Sequence, residues 1–555
     1  MGGAGGSSAG NGGSGGSSAG SGGTGGSSAG SGGTGGGKAG NGGTAGTAAG
    51  NGGTAGGAAG KGGSGAAAGS AGNGGSAGNG GSAGGGAAGG TGGSSGSAGA
   101  AGASDVTGIV QLSFETPKTT TKAPVDLSMG LVEAFVDVGG SYVTYPGTGN
   151  ANGTFSVPGV PMGVFSLHVA TPQGEDVYVG SARTLDLTVR VAGRADVAPA
   201  TPGTKLSFDF SGLTAWAATD ELQLFSANAG FELGNLATSS SMPPTMGATT
   251  LMATRKIGGR ALVDTTMGDD LLLTQLVEQT SGAATYRGVG KSLALSATFV
   301  DKTTTPLSGA LAAVAQDKTL ATTWKHDAFT AHVADINPAA VLVDQGVGVD
   351  VIPSTGTTFY DVTRGYPDVL LYNAPAGAGD EALSFSYGDP FDPTWTRFVG
   401  VAAVATVSLM VPGAAMPFTV ANSIQSRVAL GGATLAPLVT PPTLPKVNGQ
   451  NGFVNAVGVG LVPVISWSAP AVGTAQSYNV VLVTLVDMGG MTGPANIVRF
   501  HTTGTSLRIP PGFLHPGDNF AFSIEAYSAP YVEATPGLAS LPYGYASCSL
   551  GVFAP

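Results

Sequence analysis

The first 104 residues, from Met1 to Ser104, constrain this chain most because they are almost entirely Gly, Ala, Ser, Thr and Asn. The segment has two charged residues, Lys38 and Lys61, and it contains no proline and no aromatic residue. Fixing the backbone of one residue costs about 1–2 kcal/mol, and these small side chains bury too little apolar surface to offset that cost. We therefore expect a disordered tether over residues 1–104, followed by a folded region from residue 105 to residue 555.

The tether carries a ten-residue repeat, seen in GGSGGSSAGS at 12–21 and GGTGGSSAGS at 22–31. A flexible coil of this length has a root-mean-square span of about 50–60 Å, which would hold folded modules away from an anchor. The composition resembles the linkers that follow the lipidated cysteine of bacterial surface lipoproteins. No charged n-region and apolar h-region precede the repeat, so we expect any anchorage to lie upstream of Met1. This resemblance implies an extracellular or outer-surface location.

Charge and cysteine content narrow the classes of partner and fold. The net charge is −11, which makes a nucleic acid partner unexpected. Only 10% of residues are charged, well below the roughly 25% of ordinary soluble domains. The single cysteine, Cys548, excludes an intramolecular disulfide, so the folded region must rely on its own cores. Its length suits about three domains of roughly 150 residues each.

Period-two patterning predicts an all-β protein built from β-sandwich domains. The uncharged stretch 398–421 is long enough to suggest a transmembrane helix. Its apolar residues alternate with others from Val399 to Val411, however, and Pro412 and Pro417 follow. Alternation of this kind is typical of a buried strand and a turn, so we expect no transmembrane segment.

Residues 105–193 form the first expected module. The stretch NGTFSVPGVPMGVFSLHV at 152–169 directs Phe155 inward, turns at Pro158-Gly159, and directs Phe165 inward on the return strand. This pattern resembles the carboxypeptidase regulatory-like, transthyretin-like β-sandwiches, which have a carbohydrate-binding-like fold. Some relatives bind carbohydrate, and Tyr142 and Tyr145 are the residues that could stack on a sugar ring. Three residues apart on an extended chain, the two would face opposite sides.

Residues 194–440 form a strand-rich middle region of no recognisable type. The segments 220–224, 269–273 and 368–372 each begin with Asp and continue into Leu-rich sequence, at spacings of 49 and 99. A period near 50 suits propeller blades or stacked sandwich units. Recurrence by chance in Leu-rich strands is the alternative interpretation.

Residues 441–555 form the last expected module. Trp467 and Pro470 precede a strand beginning at Tyr478, and LHPGDNFAFSIEA follows at 514–526. This arrangement resembles a fibronectin type III domain, in which these positions supply the core. The resemblance implies that Trp467, Tyr478, Leu514 and Phe522 are buried, with Phe520 standing where the family usually has a corner tyrosine.

The sequence contains few residues in patterns that suggest catalysis or metal binding. Asp380, Glu381, Asp389 and Asp392 cluster in a loop-like stretch and offer the oxygen ligands that calcium prefers, against the alternative of solvated carboxylates. His326 and His332 with two nearby aspartates suggest a metal only if the chain turns, since on one straight strand they would lie about 20 Å apart. The remaining histidines, at 168, 501 and 515, are interpreted as surface or satisfied core residues. No cofactor other than calcium is suggested.

Two function classes remain. The first is a non-catalytic surface-displayed or secreted protein that presents β-sandwich modules on a flexible stalk, binding an extracellular polymer or a cell-surface glycan or protein. The second is a secreted hydrolase or its accessory subunit, with an unrecognised catalytic middle region. The sequence favours the first because no Ser/His/Asp set or carboxylate pair stands in a strand-end context.

Overall fold

The computed structural model describes residues 102–171, 174–234, 236, 244–358, 366–375, 377–431, 434–488, 492–536 and 540–555. Strands dominate this part of the chain, with two short α-helices and one 3-10 helix. The prediction of an all-β protein is therefore confirmed. The tether predicted over 1–104 lies outside the described residues up to residue 101, and Ala103 and Ser104 belong to the first strand.

The first module consists of two facing sheets, whose hairpins follow the turn residues of the sequence. Gly139 and Gly140 both have positive φ and connect β3 to β4 as a two-residue loop, a conformation that favours glycine. Their role explains why Val138 and Ser141 pair directly across the hairpin. The strands are β1 (Ala103–Glu115), β2 (Thr120–Pro124), β3 (Leu131–Val138), β4 (Ser141–Pro146), β5 (Thr148–Gly149), β6 (Thr154–Pro161), β7 (Phe165–Thr171), β8 (Gly174–Gly180) and β9 (Thr184–Ala192).

The first half of the middle region combines a three-stranded sheet, β13-β10-β16, with strands that join a much larger sheet. A 3-10 helix, Thr265–Met267, follows the side-chain cap of Asp264, which accepts a hydrogen bond from the Thr266 amide. The strands are β10 (Lys205–Ser211), β11 (Glu221–Ser226), β12 (Phe231–Leu233), β13 (Leu251–Lys256), β14 (Leu271–Ser281), β15 (Ala284–Leu295), β16 (Thr304–Ala310) and β17 (Ala312–Ala313).

The second half of the middle region contains the two α-helices and the longest strand of the described residues. The uncharged stretch 398–421, which is long enough for a transmembrane helix, supplies most of β22 instead. This strand pairs with β19 on one side and with β23 on the other. The elements are β18 (Lys318–Trp324), α1 (His326–Thr330), α2 (Val333–Ile336), β19 (Val341–Ile352), β20 (Asp368–Asn373), β21 (Glu381–Tyr387), β22 (Thr396–Leu409) and β23 (Phe418–Ala429). Within the described residues, no helix is long and apolar enough to cross a bilayer.

The last module adds a four-stranded sheet, β25-β24-β27-β30, to strands of the large sheet. Trp467 on β27 and Tyr478 on β28 meet edge to face, with ring centroids 5.3 Å apart. The strands are β24 (Thr443–Val447), β25 (Gln450–Asn451), β26 (Ala456–Val457), β27 (Val464–Ser468), β28 (Ser477–Asp487), β29 (Thr492–Thr502), β30 (Ser506–Arg508), β31 (Asn519–Tyr527) and β32 (Tyr543–Ala554).

One 18-stranded sheet runs through all three modules. Along its main path, backbone pairing proceeds from β14 and β15 through β20, β19, β22 and β23 to β32, β31, β28 and β29, and then to β8, β7, β3 and β4. Two of these pairings cross the expected module boundaries, β23 with β32 and β8 with β29. In the described part of the middle region, β15, β20, β19, β22 and β23 thus form one run that continues into the last module instead of dividing into separate propeller blades.

The buried apolar side chains form hydrophobic cores within the modules and one core that the modules share. The first module has a core of its own around Phe155 and Phe165. A second core lies in the early middle region around Phe208, Phe210 and Trp216. The largest core extends from Phe135 of the first module through the middle strands to Phe553 of the last. A shared core of this kind requires the modules to pack against each other.

Candidate functional site

The junction between the first and last modules is built on strand pairing. β8 lies parallel to β29, with Val177 opposite Phe500 and Tyr178 opposite His501. Both Val177 and Phe500 are fully buried. A second backbone contact lies nearby, where the Asp186 amide donates to the Ala534 carbonyl at 2.7 Å. Through these contacts the last module continues a sheet of the first.

His168, on β7, is buried between two carboxylates at this junction. Its Nδ1 lies 3.1 Å from Glu133, and its Nε2 lies 2.9 Å from Glu175 on β8. The Phe513 ring of the last module meets the imidazole edge to face, at a centroid distance of 4.9 Å. Burial disfavours the charged imidazole, but the hydrogen bonds and negative charges of Glu175 and Glu133 outweigh it and raise the pKa of His168. The junction therefore favours a protonated histidine.

His501 and Glu533 make further polar contacts between the first and last modules. His501 stacks on Tyr178 with centroids 4.7 Å apart, and its Nε2 lies 3.0 Å from Asp176. Glu533 accepts hydrogen bonds from the backbone amides of Ser181 and Ala182, just beyond β8. Side chains of the last module thus satisfy polar groups at the end of a first-module strand.

Tyr142 and Tyr145, the residues that could stack on a sugar ring, contact different parts of the protein. The Tyr142 hydroxyl donates to the Arg508 carbonyl at 2.7 Å, and the Arg508 guanidinium lies 5.4 Å from the tyrosine ring centroid. Burial raises the pKa of Tyr142 to about 12, with a further contribution from the charge of Asp137. Tyr145 packs against the first-module core instead. The structure does not bring Tyr142 and Tyr145 together on one surface, as their spacing indicated.

The junction between the middle and last modules is polar at its centre. Asn422, on β23, is fully buried, and its Oδ1 accepts hydrogen bonds from the hydroxyls of Ser547 and Ser549 on β32. Asn337, just after α2, donates from its side chain to the Ser549 carbonyl at 2.9 Å. These bonds accompany the antiparallel pairing of Ile424 with Ala546. They fix the two modules side by side and satisfy polar groups that burial would otherwise penalise.

The four carboxylates proposed for calcium lie in two separate sets. Asp380 pairs with Lys325 at 3.0 Å, and Glu381 lies 2.9 Å from His326. Asp389 binds the Arg397 guanidinium, while Asp392 accepts from the Thr394 amide and hydroxyl. Among the residues that the structure describes, no group of three or more His, Cys, Asp and Glu side chains is arranged to hold a metal ion.

His326 begins α1 and His332 is the N-cap residue of α2, so the chain does turn between them. His326 is fully buried and stacks on Trp324 at a centroid distance of 3.6 Å. Its Nδ1 lies 3.2 Å from Gln345 and its Nε2 2.9 Å from Glu381. His332 pairs instead with Asp335 at 2.8 Å. Because both ring nitrogens of His326 are engaged inside the protein, this imidazole is not placed to act on a substrate.

The loop between β21 and β22 presents an aromatic cluster at the surface. Trp395 is half-buried, and its ring centroid lies 6.1 Å from that of Phe391 and 6.5 Å from that of Phe225. Arg397 holds the loop, since its guanidinium contacts both oxygens of the Asp389 carboxylate and also donates to backbone carbonyls of the loop. In the segment GDPFDPTWTR at 388–397, the carboxylates suggest calcium ligands and draw attention away from the aromatic residues. The tryptophan among them was the signal that could have identified this surface.

The residues proposed as structural core are buried in the structure. They are Phe155, Phe165, Trp467, Tyr478, Leu514, Phe520 and Phe522.

Comparisons with known proteins give little further guidance. No protein-family model matches the chain, and no curated protein sequence matches it. Among solved structures, the chain is similar to the crystal structure of a tetra-tandem repeat in the extending region of a large adhesion protein. The identity is 13%, over 80% of this chain and 99% of that chain, with a TM-score of 0.10. A similarity this low carries no argument about fold or function.

Proposed function

We propose that this chain is a non-catalytic binding protein, secreted or displayed on an outer surface, that presents a rigid block of β modules to an extracellular polymer. The observation that carries the proposal is the backbone pairing across module boundaries, β8 with β29 and β23 with β32. Paired strands and a shared core resist relative motion of the modules. A rigid block of this kind suits a protein that must stay bound to its ligand under mechanical tension.

The connection to the N-terminal segment supports the same proposal. Strand β1 follows that segment directly and pairs in parallel with β9 from Thr107 to Glu115, while β6 pairs along part of its other side. Extraction of β1 would have to break its hydrogen bonds to β9 and to β6.

We also propose that the first module is carboxypeptidase regulatory-like and the last is fibronectin type III-like, on the residue patterns given above. The contact between Trp467 and Tyr478 supports the second assignment. Anchorage through a lipidated residue upstream of Met1 belongs to this proposal too. The proposed binding function requires no bound cofactor.

A binding screen and a substrate panel on residues 102–555 test the proposal. We expect retention on a glycan array or on an immobilised extracellular polymer, without turnover of glycoside, ester or peptide substrates. Turnover that disappears in Glu381→Gln would contradict the proposal, because Glu381 contacts both His326 and Tyr372 and would then be part of a catalytic acid–base cluster. Turnover unchanged in this variant would contradict it equally, by locating a catalytic site elsewhere.

A further inference from the structure

The four tryptophans differ in how far they are exposed to solvent. Trp216, Trp324 and Trp467 are buried, at 6%, 0% and 6% exposure. Trp395 is half-buried, so within the described part of the chain it is the tryptophan that offers ring surface to a ligand. Leaving a large aromatic surface in water gives up hydrophobic stabilisation, and a half-buried tryptophan supported by other rings is a common basis for ligand contact.

The ring is held in place from behind. Phe391 stacks against it at an interplanar angle of 29°, and Phe225 meets it edge to face at 74°. Phe225 and Phe391 also contact each other, with centroids 6.1 Å apart. The three rings therefore form one supported cluster, so the orientation of Trp395 is set before a ligand arrives.

The loop that carries the ring is also fixed. The Arg397 guanidinium lies 2.7 Å from one oxygen of Asp389 and 3.1 Å from the other. It donates as well to the carbonyls of Asp392 at 2.6 Å and Phe391 at 3.1 Å. A bidentate pair with added backbone bonds limits loop motion, and preorganisation of this kind lowers the entropy cost of binding.

Two polar residues share the turn that carries the ring, in which the Trp395 amide donates to the Asp392 carbonyl at 3.1 Å. Asp392 and Thr394 are exposed, and Asp392 Oδ1 accepts from the Thr394 amide at 2.8 Å and hydroxyl at 2.7 Å. These bonds lower the pKa of Asp392, with smaller contributions from the charges of Arg397 and Lys118. The carboxylate is therefore ionised at neutral pH and accepts hydrogen bonds from ligand hydroxyls.

We propose that Trp395, with Asp392 and Thr394, forms a binding site for a neutral polysaccharide. A pyranose ring has an apolar face of C–H groups, which stacks on an indole, and a rim of hydroxyls, which donate to a carboxylate. The ionised Asp392 and the net charge of −11 disfavour an anionic polymer. The inference rests on the proposed function and names its ligand class.

Affinity gel electrophoresis of residues 102–555 tests the site, with hydroxyethylcellulose, xylan, galactomannan and a β-1,3-glucan as neutral probes and alginate as an anionic one. We expect retardation by at least one neutral probe. Trp395→Ala should weaken it at least tenfold, and Asp392→Asn should weaken it less. Trp216→Phe is the matched control, because it replaces a buried tryptophan of the early middle region and should leave retardation unchanged.

Tryptophan fluorescence supplies a second readout that does not depend on the gel. Addition of the retarding polysaccharide should shift the emission of the parent and of Trp216→Phe but not of Trp395→Ala. Circular dichroism and the melting temperature of each variant establish that it is folded. Should Trp395→Ala fail to fold, Trp395→Phe replaces it, and we expect weaker retardation because the smaller ring offers less stacking surface.

Three outcomes overturn the inference. They are retardation by alginate alone, retardation by no polysaccharide, and full retardation of a folded Trp395→Ala protein. If the protein binds a polymer without involving Trp395, the proposed function stands and this site assignment fails. If the protein binds nothing and turns over a substrate instead, both fail.

Discussion

Replacement of His168 by Gln probes the buried ion pairs with Glu133 and Glu175 in the first module, beside the contact with Phe513 of the last module. His168 is 4% exposed, and its carboxylate partners Glu133 and Glu175 have side chains 21% and 25% exposed. Breaking a fully buried ion pair costs about 3–5 kcal/mol. Because these carboxylates keep some contact with water and Gln retains a neutral hydrogen bond, we expect a loss of about 2–3 kcal/mol near pH 6.

The pH dependence of that loss has a definite sign. The pKa of His168 is raised in the folded protein, so the folded state binds the proton more tightly than the unfolded chain. The stabilisation is therefore complete below the ordinary value of 6.5 and disappears as the pH rises through the raised folded value. Between pH 6 and pH 9, the difference in unfolding free energy between parent and His168→Gln should shrink.

Urea denaturation followed by circular dichroism at pH 6 and pH 9 measures this difference. Burial raises the pKa of Asp344 to about 6, but Asp344 is present in both proteins and its contribution cancels. His515→Gln is the matched control, since the His515 side chain is 66% exposed and lies 3.8 Å from Asp518. A stability difference for His168→Gln that is the same at both pH values would refute the reasoning.

Further predictions concern the last module and the loop of Trp395. Trp467→Ala removes a buried aromatic and should cost about 3–5 kcal/mol of unfolding free energy; a melting temperature within about 2 °C of the parent would place Trp467 outside the core. Arg397→Lys should keep the charge but lose the bidentate contact with Asp389, so hydrogen exchange of residues 388–395 should accelerate, and unchanged exchange would contradict the role given to Arg397. Burial raises the pKa of Cys548 to about 12, so its thiol should react with Ellman's reagent at pH 8 only after denaturation; rapid reaction of the native protein would contradict its burial.

The fold class and much of the core could be predicted from local pattern. Alternation identified β22 correctly as a strand, and it placed Phe520 and Phe522 inside. The same rule assumes that one face of a strand is buried and the other solvated. On β31 it misses Ser523 and Glu525, which are buried as well, at 6% and 2% exposure. Polar contacts explain the buried Glu525, since the Tyr527 and Tyr545 hydroxyls both donate to its carboxylate.

Contacts across the modules could not be predicted because they join residues more than a hundred positions apart. Val177 and Phe500, for example, become neighbours only once β8 pairs with β29. The carboxylates at 380, 381, 389 and 392 suggest calcium ligands because their proximity in sequence suggests a shared site. In the structure Asp389 is bound by Arg397 and Glu381 lies with His326, so neighbours in sequence serve different contacts.

Hydrogen exchange at the module junctions tests the central claim most directly. The account holds that β8 and β29, and likewise β23 and β32, form continuous backbone ladders. Peptides covering Gly174–Gly180 should therefore be protected to a degree comparable with Asn519–Tyr527, which pairs on both sides inside the last module, with β28 and with β32. Exchange of Gly174–Gly180 at the rate of an unpaired edge strand, with Asn519–Tyr527 still protected, would show that the modules are not joined and would contradict the account.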